Sequence, residues 1–224
     1  MTVFKVAKQS RAMYTCPSII PGSNDMRLQQ TLLTFVTAFC LLFLFISSCN
    51  KQEKDPISIG FMGTLSGHAS SAGHAARDAV ALAIEQLNAK GGIDGHKVEL
   101  VIKDIQQNPE TAKNTVAEFI SQNIPVVIGP MFSSMSVAAS EAANRGDILL
   151  ISPTSSTTLL NDKEDNFFRL YPPSNVAAEK LADHVLGKSL KSISIIWDEE
   201  NSAFTENWKN YFVDRYIYQG GGIS

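Results

Sequence analysis

Three hydroxyl-bearing segments of this 224-residue sequence have the composition to hold a small polar molecule. They are Leu65-Ser66-Gly67, Met131-Phe132-Ser133-Ser134 and Ser152-Pro153-Thr154-Ser155-Ser156. Ser133 falls where a helix is predicted to begin over 134–144, and the free N–H groups and dipole of a helix start favour a carboxylate. A hydroxyl there can donate one more hydrogen bond. Most helix-start serines only cap, so Ser133 and Ser134 also have a purely local reading. Gly63-Thr64-Leu65-Ser66-Gly67 is not the G-x-S-x-G nucleophile elbow, and no His/Asp pair is placed beside Ser66, which argues against hydrolysis. His68 and His74 lie six apart with no third ligand nearby and read as a solvated pair rather than a metal site. His96, in a turn, and His184, on a polar helix side, read as surface residues. No phosphate-cradling Walker A and no G-x-G-x-x-G is present, so neither a cofactor nor a metal is expected.

The elements that must position these segments alternate in period from Ile57 onward. Strands are predicted over 57–62, 98–102, 125–129 and 148–151, and helices over 71–90, 109–122 and 134–144. In the first helix Ala76, Val80, Ala83, Ile84 and Leu87 share a face, and Gly91-Gly92 ends it. In the second, Val116, Phe119 and Ile120 face inward. Short connections between such units leave right-handed βαβ crossovers, hence an α/β fold: a Rossmann-like parallel sheet lobe over 57–166 with helices on both faces. In an open parallel sheet ligands sit beyond the carboxyl ends of the strands, where all three hydroxyl-bearing segments fall. Pro172-Pro173 can continue neither a helix nor a central strand, so residues 167–173 read as a hinge. Beyond it come a helix (174–186), a strand (193–197) and a helix (203–216), the beginning of a second similar lobe over 174–224. Two helices and one strand cannot bury a core of their own, so this lobe reads as unfinished.

With 44% hydrophobic and 18% charged residues the chain is foldable, which excludes a disordered tail, a collagen-like fibre and a disulfide-stapled miniprotein. Its 19 Lys+Arg against 22 Asp+Glu give no basic field, so nucleic acid is not an expected partner. Residues 28–50 carry no charge. Their fully apolar core, from Leu32 to Ile46, is about 15 residues long, short of the roughly 20 that span a bilayer. Ile46-Ser47-Ser48-Cys49 resembles the lipobox of bacterial lipoproteins, which implies that the Cys49 thiol carries a lipid anchor and becomes the new N-terminus. An uncleaved anchor and a buried cysteine are the alternatives. Met26-Arg27 suits the start of such a signal, leaving residues 1–25 as an extension or a misassigned start, 26–48 as the signal peptide and 49–56 as a polar tether. Cys16 and Cys40 then lie outside the body, which is left without a disulfide.

Ile59-Gly60 through Leu65-Ser66-Gly67, Leu87-Asn88-Ala89-Lys90-Gly91-Gly92-Ile93-Asp94-Gly95, Val127-Ile128-Gly129-Pro130 with Ser133-Ser134, and Ile151-Ser152-Pro153-Thr154 together carry a family resemblance. The sequence resembles the solute-binding proteins of the leucine/isoleucine/valine-binding type, receptor components of ABC importers. The resemblance implies two lobes that close about a hinge over a small amino acid or related polar solute and deliver it to a membrane permease. It further implies that Ser133 binds the ligand's carboxylate, that Thr154 contacts it through its backbone and that the Ser156 hydroxyl lies near the ammonium group. Ser66 belongs to the same rim. Phe204 stands near the place of an aromatic from the second lobe, with core packing as its alternative reading. Ala72 departs from the pattern, standing where branched-chain binders carry an aromatic residue. A sensor or regulator reusing the lobe, or a truncated fragment without function, are the other readings.

Overall fold

The computed structural model describes residues 27–28, 30–39 and 54–223. The chain divides into two compact units, Met1–Gln52 and Glu53–Ser224. In the first, residues 27–28 and 30–39 are helical. The hydroxyls of Thr31, Thr34 and Thr37 donate back to the carbonyls of Arg27, Gln30 and Leu33, so these side chains sit on the helix with their polar groups satisfied. No helix among the described residues is long and apolar enough to cross a membrane. Cys49, with the signal-peptide cleavage point, lies outside the described residues, as do Cys16 and Cys40.

The second unit begins with strand β1 (Lys54–Gly63), followed by α1 (Ser70–Ala89), β2 (His96–Asp104), α2 (Pro109–Ser121), β3 (Val126–Ile128), α3 (Ser133–Arg145), β4 (Leu149–Ser152) and β5 (Phe167–Arg169). The five strands are all parallel in the order β2-β1-β3-β4-β5. Local chemistry sets the helix ends. Asn108 accepts the Thr111 amide at the start of α2, with Pro109 at the position where a missing N–H costs nothing. Gly91 and Gly92, both at positive φ, end α1 by donating to Asn88 and Leu87.

Side-chain alternation along the strands sorts the layers. Val127 and Leu150 point into the apolar core that α2 and α3 build with Val116, Phe119, Met135 and Ala139. Their neighbours Ile128 and Ile151 point the other way, toward α1, where they line a cavity of about 680 Å³ with Ala76, Val80 and Leu170. Helices therefore cover both faces, as the periodicity predicts, but unequally. Among α1 residues only Gly73 is buried. Ala76, Val80, Ile84 and Leu87 are half-buried and Ala83 is exposed, because α1 covers only β1 and β2 and the cavity flanks it.

Two boundaries differ from the sequence reading. Lys54–Pro56, expected in the tether, extend β1, with Lys54 paired to His96 and its ammonium held by the Asp94 carbonyl at 2.6 Å. The segment read as a hinge opens with β5, whose Phe167 pairs with Leu150; only the residues after Arg169, with the proline pair, leave the sheet.

Beyond them lie α4 (Ser174–Gly187), β6 (Ser192–Ile193), α5 (Ser202–Tyr218) and β7 (Gly222–Ile223). The strand expected over 193–197 is only two residues long because its ladder extends no further than its parallel partner β7. Ala178 and Ala182 of α4 let α5 approach closely, and Trp208, Phe212 and Tyr216 stack along α5 with ring centroids 5.4 and 5.5 Å apart. Arg215, bonded to Asp183 at 2.8 Å, holds that carboxyl below the ordinary carboxylate range, and Gln219 adds to the effect.

Phe119 is fully buried and packs over Gly60, where an added Cβ would come within 3.1 Å of its ring. Phe119→Ala is expected to cost about 3–5 kcal/mol, read as a lower midpoint in urea denaturation, with no compensating collapse at the rigid sheet. An effect below 1 kcal/mol, on the order of a surface substitution, would contradict this core assignment.

Candidate functional site

Two close backbone approaches build the carboxyl edge of the sheet. Gly73 of α1 lies so near the loop after β1 that a Cβ there would sit 1.9 Å from the Thr64 carbonyl oxygen. Gly129, at φ +107°, lets the loop after β3 pass the Met62 carbonyl, which a Cβ would meet at 2.0 Å. Hydroxyls then tie the β3 and β4 loops together. Ser152 donates to the Pro130 carbonyl at 2.6 Å and Thr154 to the Met131 carbonyl at 2.5 Å. Ser155 donates to Ser133 Oγ at 3.3 Å, and the Ser156 amide donates to the same oxygen at 3.2 Å.

Ser133, Ser155 and Ser156 are all at most 2% exposed. With both acceptor positions of Ser133 Oγ occupied, its own proton is directed elsewhere, as a carboxylate acceptor requires. Neither serine at the start of α3 caps that helix through its side chain. The N-cap is Phe132, and Ser134 Oγ accepts the Ala203 amide at 3.2 Å from α5.

The other sequence candidates occupy different surroundings. Ser66 is exposed and lines a cleft of about 330 Å³ with Gly67, His68, Gln106, Gln107 and Glu200. Thr154 lines the α1-side cavity together with Ala72 and Met131. Phe204 sits half-buried in the first turn of α5, outside the apolar cluster between α4 and α5. The two histidines have separate partners: His68 pairs with Glu200 at 2.9 Å, and His74 Nε2 lies 2.8 Å from the Leu65 carbonyl. No group of three or more His, Cys, Asp or Glu able to hold a metal is present among the described residues.

Three residues at the edge escape sequence reasoning. Asp104, at the end of β2, accepts the Leu65 amide at 2.8 Å and the Gln106 amide at 2.9 Å, and so shapes the loop that carries Ser66. Burial pushes its carboxyl up, but the Ser66 hydroxyl and the amides of Leu65, Gln106 and Ser66 outweigh this and hold it below the ordinary carboxylate range. Arg169 supports the Ser156 loop by donating to the Thr157 carbonyl at 2.7 Å and to Asn161. Asn207, in the middle of α5, accepts the Ser174 hydroxyl at 2.6 Å from its own lobe and the Thr158 amide at 3.1 Å from the first. An acidic residue ending a strand is a usable sequence signal for the first. A mid-helix asparagine carries none.

Parallel α/β lobes are thus joined by polar contacts, with hydroxyls and a helix start at their common edge. A family model described as "Periplasmic binding protein" matches residues 56–212, and this chain belongs to that family. The Leu/Ile/Val-binding protein homolog 3 of Brucella melitensis is 27% identical over 75% of this chain and 45% of its own length. A chemotactic signal transduction system substrate-binding protein, BasB of Halobacterium salinarum, is 33% identical over 45% of this chain and 25% of its own. The crystal structure of the branched-chain amino acid transporter substrate binding protein LivJ of Streptococcus pneumoniae, in complex with isoleucine, superposes with TM-score 0.68 at 26% identity. That match covers 75% of this chain and 48% of LivJ. The chain thus spans about half the length of the Brucella relative and of LivJ.

Asp104→Asn removes the charge that strengthens the loop bonds and is expected to cost about 1 kcal/mol at pH 7. Because the folded pKa is lowered, the carboxylate's contribution is complete above the ordinary value near 4 and is lost as pH falls through the lower folded value. The gap between wild type and variant in urea denaturation should therefore narrow as pH falls below the ordinary carboxylate value of about 4. A gap independent of pH would contradict this role.

Proposed function

We propose that this chain is the solute-receiving part of an ABC importer, held at the outer face of a membrane and binding a small amino acid or related polar solute between its lobes. The observation that carries the reading is the buried Ser133 hydroxyl at the start of α3, with both acceptor positions taken by Ser155 and Ser156. A ligand carboxylate would accept that proton together with the Ser134 amide N–H at the start of α3, in place of Asn201 Oδ1. Thr154 and Ser156 would meet the ligand from the β4 loop, Ser66 from the β1 loop and Phe204 from the second lobe. Support for an amino acid comes from the Leu/Ile/Val-binding relative and from the isoleucine held by LivJ. Ala72, on the wall of the α1-side cavity, leaves more room than an aromatic side chain would, so the preferred side chain need not be leucine's. The hinge would lie in the residues after Arg169, between the first lobe and a second beginning at 174, with a permease as the membrane partner. The BasB relative supports a second reading, in which the lobes serve a chemosensory receptor.

Thermal-shift screening of the whole protein against the common L-amino acids is expected to show stabilisation by a small apolar or polar member. Ser133→Ala should weaken that ligand by about tenfold or more, the cost of one buried hydrogen bond to a charged group. Absence of stabilisation by every amino acid would overturn the ligand class, and an unchanged affinity in Ser133→Ala would overturn the site.

The anchor belongs to the same proposal: residues 26–48 act as a signal peptide and Cys49 carries the lipid. Metabolic labelling with palmitate should mark the wild type and not Cys49→Ala, whereas equal labelling of both would rule out Cys49 as the attachment point.

A further inference from the structure

Arg169 ends β5 and sends its guanidinium back to the loop that carries Ser155 and Ser156. Nη1 donates to the Thr157 carbonyl at 2.7 Å and Nη2 to the Asn161 side-chain oxygen, so one planar group spans the stretch 157–161. Both acceptors are neutral. The cation is half-buried, and burial pushes it below the ordinary arginine range, with Asp162 opposing. A half-buried charge facing two neutral acceptors stabilises less than an ion pair would, so what the fork supplies is geometry.

That stretch adjoins the bond that shapes the site. The Ser156 amide donates to Ser133 Oγ at 3.2 Å. On its other side, the Ser156 carbonyl accepts the Ser174 amide at 2.7 Å and the next carbonyl, that of Thr157, accepts Arg169. Two successive carbonyls are therefore pinned from outside the loop. Ser156 is 2% exposed and Thr157 fully buried, so water offers neither carbonyl an alternative. Only the two backbone dihedrals of Ser156 separate its pinned carbonyl from its N–H.

We infer that Arg169 is a positioning residue of the binding site: its grip on Thr157 and Asn161 keeps the Ser156 N–H on Ser133 Oγ and so leaves the Ser133 proton aimed at a solute's carboxylate. The grip itself is independent of the amino-acid reading above; its consequence for a carboxylate rests on that reading. Lysine cannot substitute, because an ammonium is a point donor on a flexible stem and lacks the rigid fork that meets both acceptors at once. Arg169, Thr157, Asn161, Ser156 and Ser133 all belong to the five-stranded sheet and its loops, so the grip does not depend on how the lobes stand to each other.

Hydrogen–deuterium exchange of the whole protein without added solute, followed at the Ser156 amide by NMR, reads this bond directly. Arg169→Lys is expected to speed exchange there about fivefold, the equivalent of one ordinary hydrogen bond, while core amides of α2 keep the wild-type rate. Ser133→Ala, which removes the acceptor, should give a similar increase. The combination decides the role. In a Ser133→Ala background Arg169→Lys should add less than about twofold, because both substitutions break the same bond. Equal acceleration by Arg169→Lys in both backgrounds, the behaviour of a merely structural brace, would overturn the proposal, as would an unchanged Ser156 amide in Arg169→Lys. Should Arg169→Lys deprotect the α2 amides as well, Asn161→Ala takes its place. Loss of one arm of the fork should then speed the Ser156 amide and spare α2, and an unchanged Ser156 amide would overturn the proposal. A failure of the carboxylate reading alone would leave these exchange rates intact and appear only in the ligand screen.

Discussion

Parallel pairing in step puts Phe61 of β1 opposite Ile128 of β3, and Ile128 opposite Ile151 of β4, so the loops that follow these strands all leave the sheet at one edge. A single-residue slip in any of these pairs would turn the buried faces outward and carry the loops apart. The edge then tightens through bare backbone. Gly73 and Gly129 each stand where a Cβ would meet a carbonyl oxygen at 1.9 or 2.0 Å. Only after those approaches can Ser152 and Thr154 reach the carbonyls of Pro130 and Met131 and bring Ser133 beneath Ser155 and Ser156. The hydroxyl-lined site is thus a consequence of strand register and two missing side chains.

Different interactions hold the lobes internally and to one another. The first lobe rests on fully buried apolar residues such as Phe61, Phe119 and Leu150, whose individual loss costs several kcal/mol. The lobes meet through hydrogen bonds of Asn207 with Thr158 and of Asn201 with Ser134, each worth only about 1 kcal/mol net. Such an interface is far weaker than the apolar core of the first lobe.

Much of this architecture is legible in the sequence because the period switches cleanly between strand and helix from Ile57 onward. The edges are less legible. β1 starts at Lys54 because it pairs with His96, forty-two residues away, and β5 starts at Phe167 because it pairs with Leu150; neither partner is visible in a local window. The inward face assigned to α1 has the right period, yet most of it is only half-buried because α1 covers just part of its side of the sheet. Among the candidate residues, Ser133 and Ser156 come together, while Ser66 and Thr154 open onto separate cavities. Asp104, Asn201 and Asn207 act through contacts reaching across 39, 67 and 49 residues, which no spacing rule anticipates.

The central claim is that a carboxylate-bearing solute is held at the start of α3 by Ser133. The most direct measurement is a crystal structure of the whole protein with the amino acid that stabilises it best. The account expects the ligand's carboxylate within hydrogen-bond distance of Ser133 Oγ and the Ser134 amide, with Asn201 turned away. A carboxylate seated away from Ser133, with Asn201 still on Ser134, would contradict it.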